Sequence, residues 1–241
     1  MTGTDQGGPA FPGNGVRPSG VRPVWKRLLG ILVFACAMGL LEAICVIYLR
    51  RLIIPADAPN AAAVSLSRLP VEPIREACTL VMLASVAWMT AANWRTRTAH
   101  FFFMFGAWDI LYYVGLKWLA HWPASWLQWD CLFLIPKPWH GPVLAPLLIS
   151  AYLMLACCLL LVREDSGTRT PLSPLGLALQ LAAVLVWYVS FVKDSDRIAA
   201  HGYAGVRYSY ALLAVGLALA VPGLWLGART DRRGRRSSPE A

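Results

Sequence analysis

Asp109, Tyr112, Tyr113 and Lys117 fall in FGAWDILYYVGLKW, residues 105–118, a stretch otherwise apolar enough to sit in lipid. An acid, two phenols and an amine in such surroundings are the groups needed to hold a cation, exchange a proton or orient a small polar ligand. Asp109, Tyr113 and Lys117 recur at four-residue spacing, which on a helix puts them on one face with Tyr112 beside them. Eight residues separate Asp109 from Lys117 by roughly 12 Å along a helix axis. The two cannot neutralise each other directly, so their partners must come from other elements.

Those partners are visible upstream. GLLEAICVIYLRR (residues 39–51) carries Glu42, and PIREACTL (residues 73–80) carries Arg75, Glu76 and Thr79. Acids brought to one depth cannot all ionise without sharing a proton or a cation. Glu42 and Asp109 are therefore the candidates for cation binding or acid/base work. Glu76 and Arg75 are candidate ligand groups, Lys117 sets the local field or binds an anion, and Tyr112 and Tyr113 orient the ligand. The competing reading is structural: Asp109 in an interhelical bond that only orders the bundle, Glu42 and Glu76 in salt bridges with Arg50 or Arg75.

Downstream lies HWPASWLQWDCLFLIPKPWHGPVLAP, residues 121–146. Trp122, Trp126, Trp129 and Phe133 follow helical spacing and form an interfacial aromatic stripe if the segment is helical. The prolines of LIPKPWHGP then forbid further helix, so the expectation is an outer loop or a re-entrant segment over the cavity, tolerated at membrane depth only where protein or water covers it. Trp129, Asp130, Lys137 and His140 would sit on that cap. Trp129 is a ligand-stacking surface or belt residue, and His140 a proton shuttle, a metal ligand or a plain loop histidine. No HExxH or Glu-x-x-His spacing occurs, so metal content stays open and no cofactor is indicated.

The elements that must position these groups are membrane helices. Of the 241 residues 57% are hydrophobic and 15% charged, against roughly 25% charged in soluble domains. Apolar runs near 28–49, 74–94, 99–119, 142–162, 175–192 and 206–226 have the ~20-residue length that spans a bilayer. The fold expected is an all-α polytopic bundle of about six spans occupying residues 24–228. A Gly/Pro-rich lead (1–23) and a basic tail (229–241) flank it. Ala35-Cys36-Ala37 imitates a signal-peptide cleavage site, but the apolar run continues to Tyr48 and reads as an uncleaved helix.

Thirteen of the 22 Lys and Arg residues fall on one side if both termini are cytoplasmic, among them the RTDRRGRR tail at 229–236. The net charge of +9 thus reads as membrane topology and headgroup contact, not nucleic-acid binding. The six cysteines lack CxxC or Cys/His spacing and read as packing residues. No P-loop, GxSxG elbow or dinucleotide turn is present, which excludes nucleotide-driven pumping by this chain alone.

LLEAICVIYLR (40–50), REACTLVML (75–83) and the whole of 105–146 together resemble a group of uncharacterised bacterial polytopic membrane proteins with the same acidic, Trp-Asp and Pro-Trp elements. The resemblance implies a bacterial inner-membrane location and no particular activity. The functional expectation is an outward-facing polar cavity that binds or passes a small polar solute, an ion or protons. The alternatives are a membrane enzyme acting on a lipid or lipid-linked substrate, and a structural subunit of a membrane complex.

Overall fold

The computed structural model describes residues 24–53, 71–166 and 173–229. The expected lead at 1–23 and nearly all of the expected basic tail lie outside the described residues. Six long helices and one short one are found there: α1 (Val24–Ile53), α2 (Val71–Thr90), α3 (Trp94–Ala120), α4 (Leu144–Asp165), α5 (Pro174–Val192), α6 (Ser195–His201) and α7 (Tyr210–Arg229). Two strands, β1 (Trp129–Phe133) and β2 (Trp139–Pro142), pair antiparallel between α3 and α4.

Helix starts follow local chemistry. The Asn93 side chain accepts the Thr96 amide at 3.0 Å to cap α3, and Ser173 accepts the Gly176 amide at 3.3 Å with Pro174 next in line at the start of α5. His121 ends α3 in the left-handed region at φ 53°.

The long helices run alternately between two ends. At one end Arg27 of α1 pairs with Asp165 of α4 at 3.5 Å, and Arg95 of α3 with Glu164 of α4 at 3.6 Å. At the other end lies the hairpin, which Arg50 of α1 reaches at 3.5 Å through Asp130. Between them Ile31, Ala35, Leu83, Ala87, Phe103 and Met104 form an apolar core shared by α1, α2 and α3. A second core joins α5 and α7 through Ala183, Trp187, Leu213 and Ala220.

Two glycines set the helix spacing that matters for the site. A Cβ on Gly39 would lie 2.5 Å from the Trp108 carbonyl oxygen, and one on Gly106 would lie 2.6 Å from the Ser150 carbonyl oxygen. Close approach of α1 and α4 to α3 requires a residue without a side chain at each position, the pattern of small residues at membrane-helix interfaces.

Among the described residues four helices are long and apolar enough to cross a membrane: Val24–Arg51, Trp94–Ala120, Leu144–Asp165 and Pro174–His201, the last running through α5 and α6. Helix α2 opens with Glu72, Arg75 and Glu76, and the apolar part of α7, Tyr210–Leu226, is shorter. Large apolar side chains such as Val33, Leu41, Leu155, Leu181 and Leu185 are exposed on the outer surface of α1, α4 and α5, as a lipid-facing surface requires.

The fold differs from an all-α bundle at residues 121–146. The aromatic stripe expected on a helix is instead divided between an irregular stretch and the hairpin. Trp122 lies over Tyr113 and Arg50, Trp126 stays exposed, and Trp129 and Phe133 stand in β1. Pro136 and Pro138 occupy the connection between the strands, where no ladder amide is needed.

Candidate functional site

One cavity of about 50 Å³ is lined by Glu42, Val46 and Arg50 of α1, Glu72, Arg75 and Glu76 of α2, Trp108, Asp109 and Tyr112 of α3, and Asp130–Leu134 of the hairpin. That is room for a few ordered waters, since one occupies about 10–15 Å³ measured in this way. Five carboxylates and two guanidinium groups therefore line one small, partly open space among four elements.

Glu42 is saturated. It pairs with the Arg75 guanidinium, accepts the Thr79 hydroxyl at 3.2 Å and accepts the Trp108 indole N–H at 2.8 Å. Arg75 is shared with Glu72, whose Oε2 lies 3.1 Å from it. Gly39, one helical turn from Glu42, brings α1 close enough to α3 for the indole to reach.

Asp130 is the second anchored carboxylate, buried at 2% exposure. It meets Arg50 at 3.5 Å and accepts the Tyr113 hydroxyl at 3.1 Å. Burial raises its pKa above the ordinary aspartate value, against the pull of the Arg50 guanidinium and of hydrogen bonds from Tyr113 and the Cys131 amide. Arg50 in turn lies 4.0 Å from the centre of the Trp122 ring, a cation–π contact that fixes its head group.

Glu76 and Asp109 differ from these. Neither is in an ion pair among the described residues. Glu76 accepts the Leu134 amide at 2.8 Å, and Asp109 accepts the Ser150 hydroxyl of α4 at 2.8 Å. Each is held by neutral donors and faces the same cavity. Gly106, one turn from Asp109, is the position that admits α4 to this contact.

The sequence-predicted residues thus divide. Glu42, Arg75, Glu76, Asp109, Tyr112 and Asp130 line the cavity. Tyr113 stands behind it, buried at 2% exposure and spent on Asp130. Lys117 does not join them: it is exposed on α3 and donates to the Pro123 carbonyl at 2.7 Å. Four-residue steps advance about 40° beyond a full turn, so by Lys117 the stripe has rotated about 80° from Asp109.

His140 is also displaced from the expected cap, buried in β2 with Nδ1 3.1 Å from the Tyr203 hydroxyl. Burial lowers its pKa to about 4, which keeps the ring neutral. Trp129 packs on Tyr203 and Tyr208, with centroids 5.4 and 6.2 Å away. It is a packing residue of the hairpin's far side and no lining residue of the cavity.

Glu72, Trp108 and Ser150 were not singled out by sequence reasoning. Glu72 had a signal, one turn before Glu76 in EPIRE. Trp108 and Ser150 had none, because an indole beside an acid and a lone serine in an apolar run are both common in membrane helices. Among the described residues no three His, Cys, Asp or Glu side chains gather as ligands of a metal ion.

Comparison of the chain with protein-family models, with curated proteins and with solved structures returns no match.

Proposed function

We propose that this is a six-pass protein of a bacterial cytoplasmic membrane, with both termini cytoplasmic and the hairpin on the outer side, whose cavity binds and passes a proton or a small cation. Glu76 and Asp109 are the exchanging carboxyls. Glu42, Arg75, Glu72, Arg50 and Asp130 frame them electrostatically, and Tyr112 and Trp108 complete the walls.

One observation carries the reading: the carboxylates around the cavity outnumber the guanidinium groups, and the two left outside the ion pairs are held only by an amide and a hydroxyl. An acidic group in the membrane costs roughly 2.5–3.5 kcal/mol on insertion scales, and a bound proton or cation is what offsets that cost. A cavity of about 50 Å³ admits an ion with a water or two and not a lipid headgroup, so the lipid-enzyme reading draws less support. Its proposed acid/base partner, His140, faces Tyr203 instead.

The test is ion flux in proteoliposomes holding a pH-sensitive dye, with a membrane potential as driving force. The parent protein is expected to conduct protons or a monovalent cation, and Asp109→Asn and Glu76→Gln to fall to the level of empty vesicles. Unchanged flux in the Asp109→Asn, Glu76→Gln double variant, or none in the parent for any monovalent cation or proton, overturns the reading.

A further inference from the structure

Helix α2 meets the bundle on one side only. Its buried residues are Glu72, Glu76, Thr79, Leu83 and Ala87, and the opposite side exposes Ile74, Cys78, Val81, Met82, Trp88 and Met89. A shallow apolar groove, bounded by Pro73 and Met82, runs along that exposed side.

The same side of α2 ends at a fixed cation. Arg97, near the start of α3, lays its guanidinium over the Trp88 ring, 3.7 Å from the centroid, and donates through Nε to the Ala91 carbonyl at 3.1 Å. That carbonyl lies just past the last turn of α2, so the bond caps one helix and immobilises the head group. It uses one of the five guanidinium donors. Arg27 and Arg95, at the same end of the bundle, pair with Asp165 and Glu164, whereas Arg97 is in no ion pair among the described residues. Its two Nη groups present the planar fork that binds a phosphate in bidentate fashion.

Depth in the membrane follows from the tryptophans. Trp94 and Trp118 are exposed indoles near the two ends of α3, separated by roughly 36 Å at 1.5 Å per residue. That separation brackets a hydrocarbon core of roughly 30 Å and puts each indole at headgroup level. Arg97 is one turn from Trp94, at the depth of lipid phosphates. From Trp88 to Cys78 along α2 is roughly 15 Å, the depth of one leaflet. An acyl chain descending from a phosphate at Arg97 therefore ends in the groove.

We propose that this face of α2 seats one anionic phospholipid, with its phosphate on the Arg97 guanidinium beside Trp88 and Trp94 and an acyl chain in the groove between Ile74 and Met82. Charge selects the occupant. A zwitterionic headgroup brings its own cation to the phosphate, and a second copy of this chain, packed here about an axis along the membrane normal, would bring a second unpaired guanidinium to the same depth. The site is independent of the cavity and of its ion chemistry.

Native mass spectrometry of the full-length chain in detergent, titrated with phosphatidylglycerol or phosphatidylcholine, counts bound lipid directly. The parent is expected to hold one phosphatidylglycerol with about fivefold preference over phosphatidylcholine, the effect of ~1 kcal/mol for one basic side chain near an anionic surface. Arg97→Gln should abolish that preference, and Arg51→Gln, at the other end of the bundle, should leave it intact. Val81→Trp fills the groove without touching Arg97; it should displace the same lipid, and it serves if Arg97→Gln does not fold. Equal affinity of the parent for the two lipids overturns the proposal. So does phosphatidylglycerol binding unchanged in both Arg97→Gln and Val81→Trp, or a lipid-free dimer that Val81→Trp dissociates.

Discussion

The Trp108 indole N–H donates to Glu42 Oε2 at 2.8 Å, joining α3 to α1 at the depth where the next residue, Asp109, turns to Ser150 on α4. Consecutive residues of one helix thus serve two different neighbours. The glutamate is fully engaged, by the indole, by Thr79 and by Arg75. On the proposed function its role is to hold the frame, and the exchange chemistry would fall to groups with weaker partners.

Glu42→Ala leaves Arg75 with one carboxylate fewer in a half-buried site. Leaving a buried charge without a partner costs about 3–5 kcal/mol, and Glu72, still 3.1 Å from Arg75, offsets part of that cost. Thermal unfolding in detergent should show a large drop in Tm for Glu42→Ala and a smaller one for Glu42→Gln, which still accepts the indole. A loss below about 1 kcal/mol in both would contradict the framing role.

Gly106→Ala places a Cβ 2.6 Å from the Ser150 carbonyl oxygen, a backbone atom that cannot swing away. Overpacking of this kind costs about 1–3 kcal/mol. It should also stretch the Ser150 to Asp109 hydrogen bond, so flux and stability are expected to fall together. Ser150→Ala, which removes the hydroxyl without crowding, should change flux with little change in Tm.

The acid sensitivity of the hairpin follows from His140. Its folded pKa lies near 4, below the ordinary value of 6.5, because burial disfavours the charged ring. The unfolded state therefore binds more protons between about pH 4 and 6.5. Stability contributed at this site rises with pH through that window and is flat above it, with a span on the order of 3 kcal/mol. Measured by chemical or thermal unfolding in detergent at pH 4.5, 5.5, 6.5 and 7.5, His140→Asn should flatten the slope relative to the parent. An unchanged slope would show that other groups set it.

Much of this arrangement was legible in the sequence, and particular residues explain where legibility ended. Run length and apolarity located each long helix of the described residues, and the cost of an acid in lipid pointed Asp109, Glu42 and Glu76 toward a common interior. The stripe from Asp109 to Lys117 misled because the α-helix does not repeat every four residues. The 121–146 segment misled for a different reason: WLQWDCLF satisfies helical aromatic spacing, but a strand also suits Trp129 to Phe133. What decides is the pairing of Trp129 with Pro142 and Cys131 with His140, a long-range fact no local pattern contains. Arg50 meeting Asp130 across eighty residues is hidden for the same reason.

The central claim is that Glu76 and Asp109, and not the ion-paired acids, exchange a proton with the aqueous side. Infrared difference spectroscopy of the purified protein in lipid, titrated with acid and base, observes carboxyl protonation directly. A titrating carboxyl band is expected that loses one component in Glu76→Gln and a second in Asp109→Asn, with Glu72→Gln leaving both in place. A band unchanged in both Glu76→Gln and Asp109→Asn would contradict it.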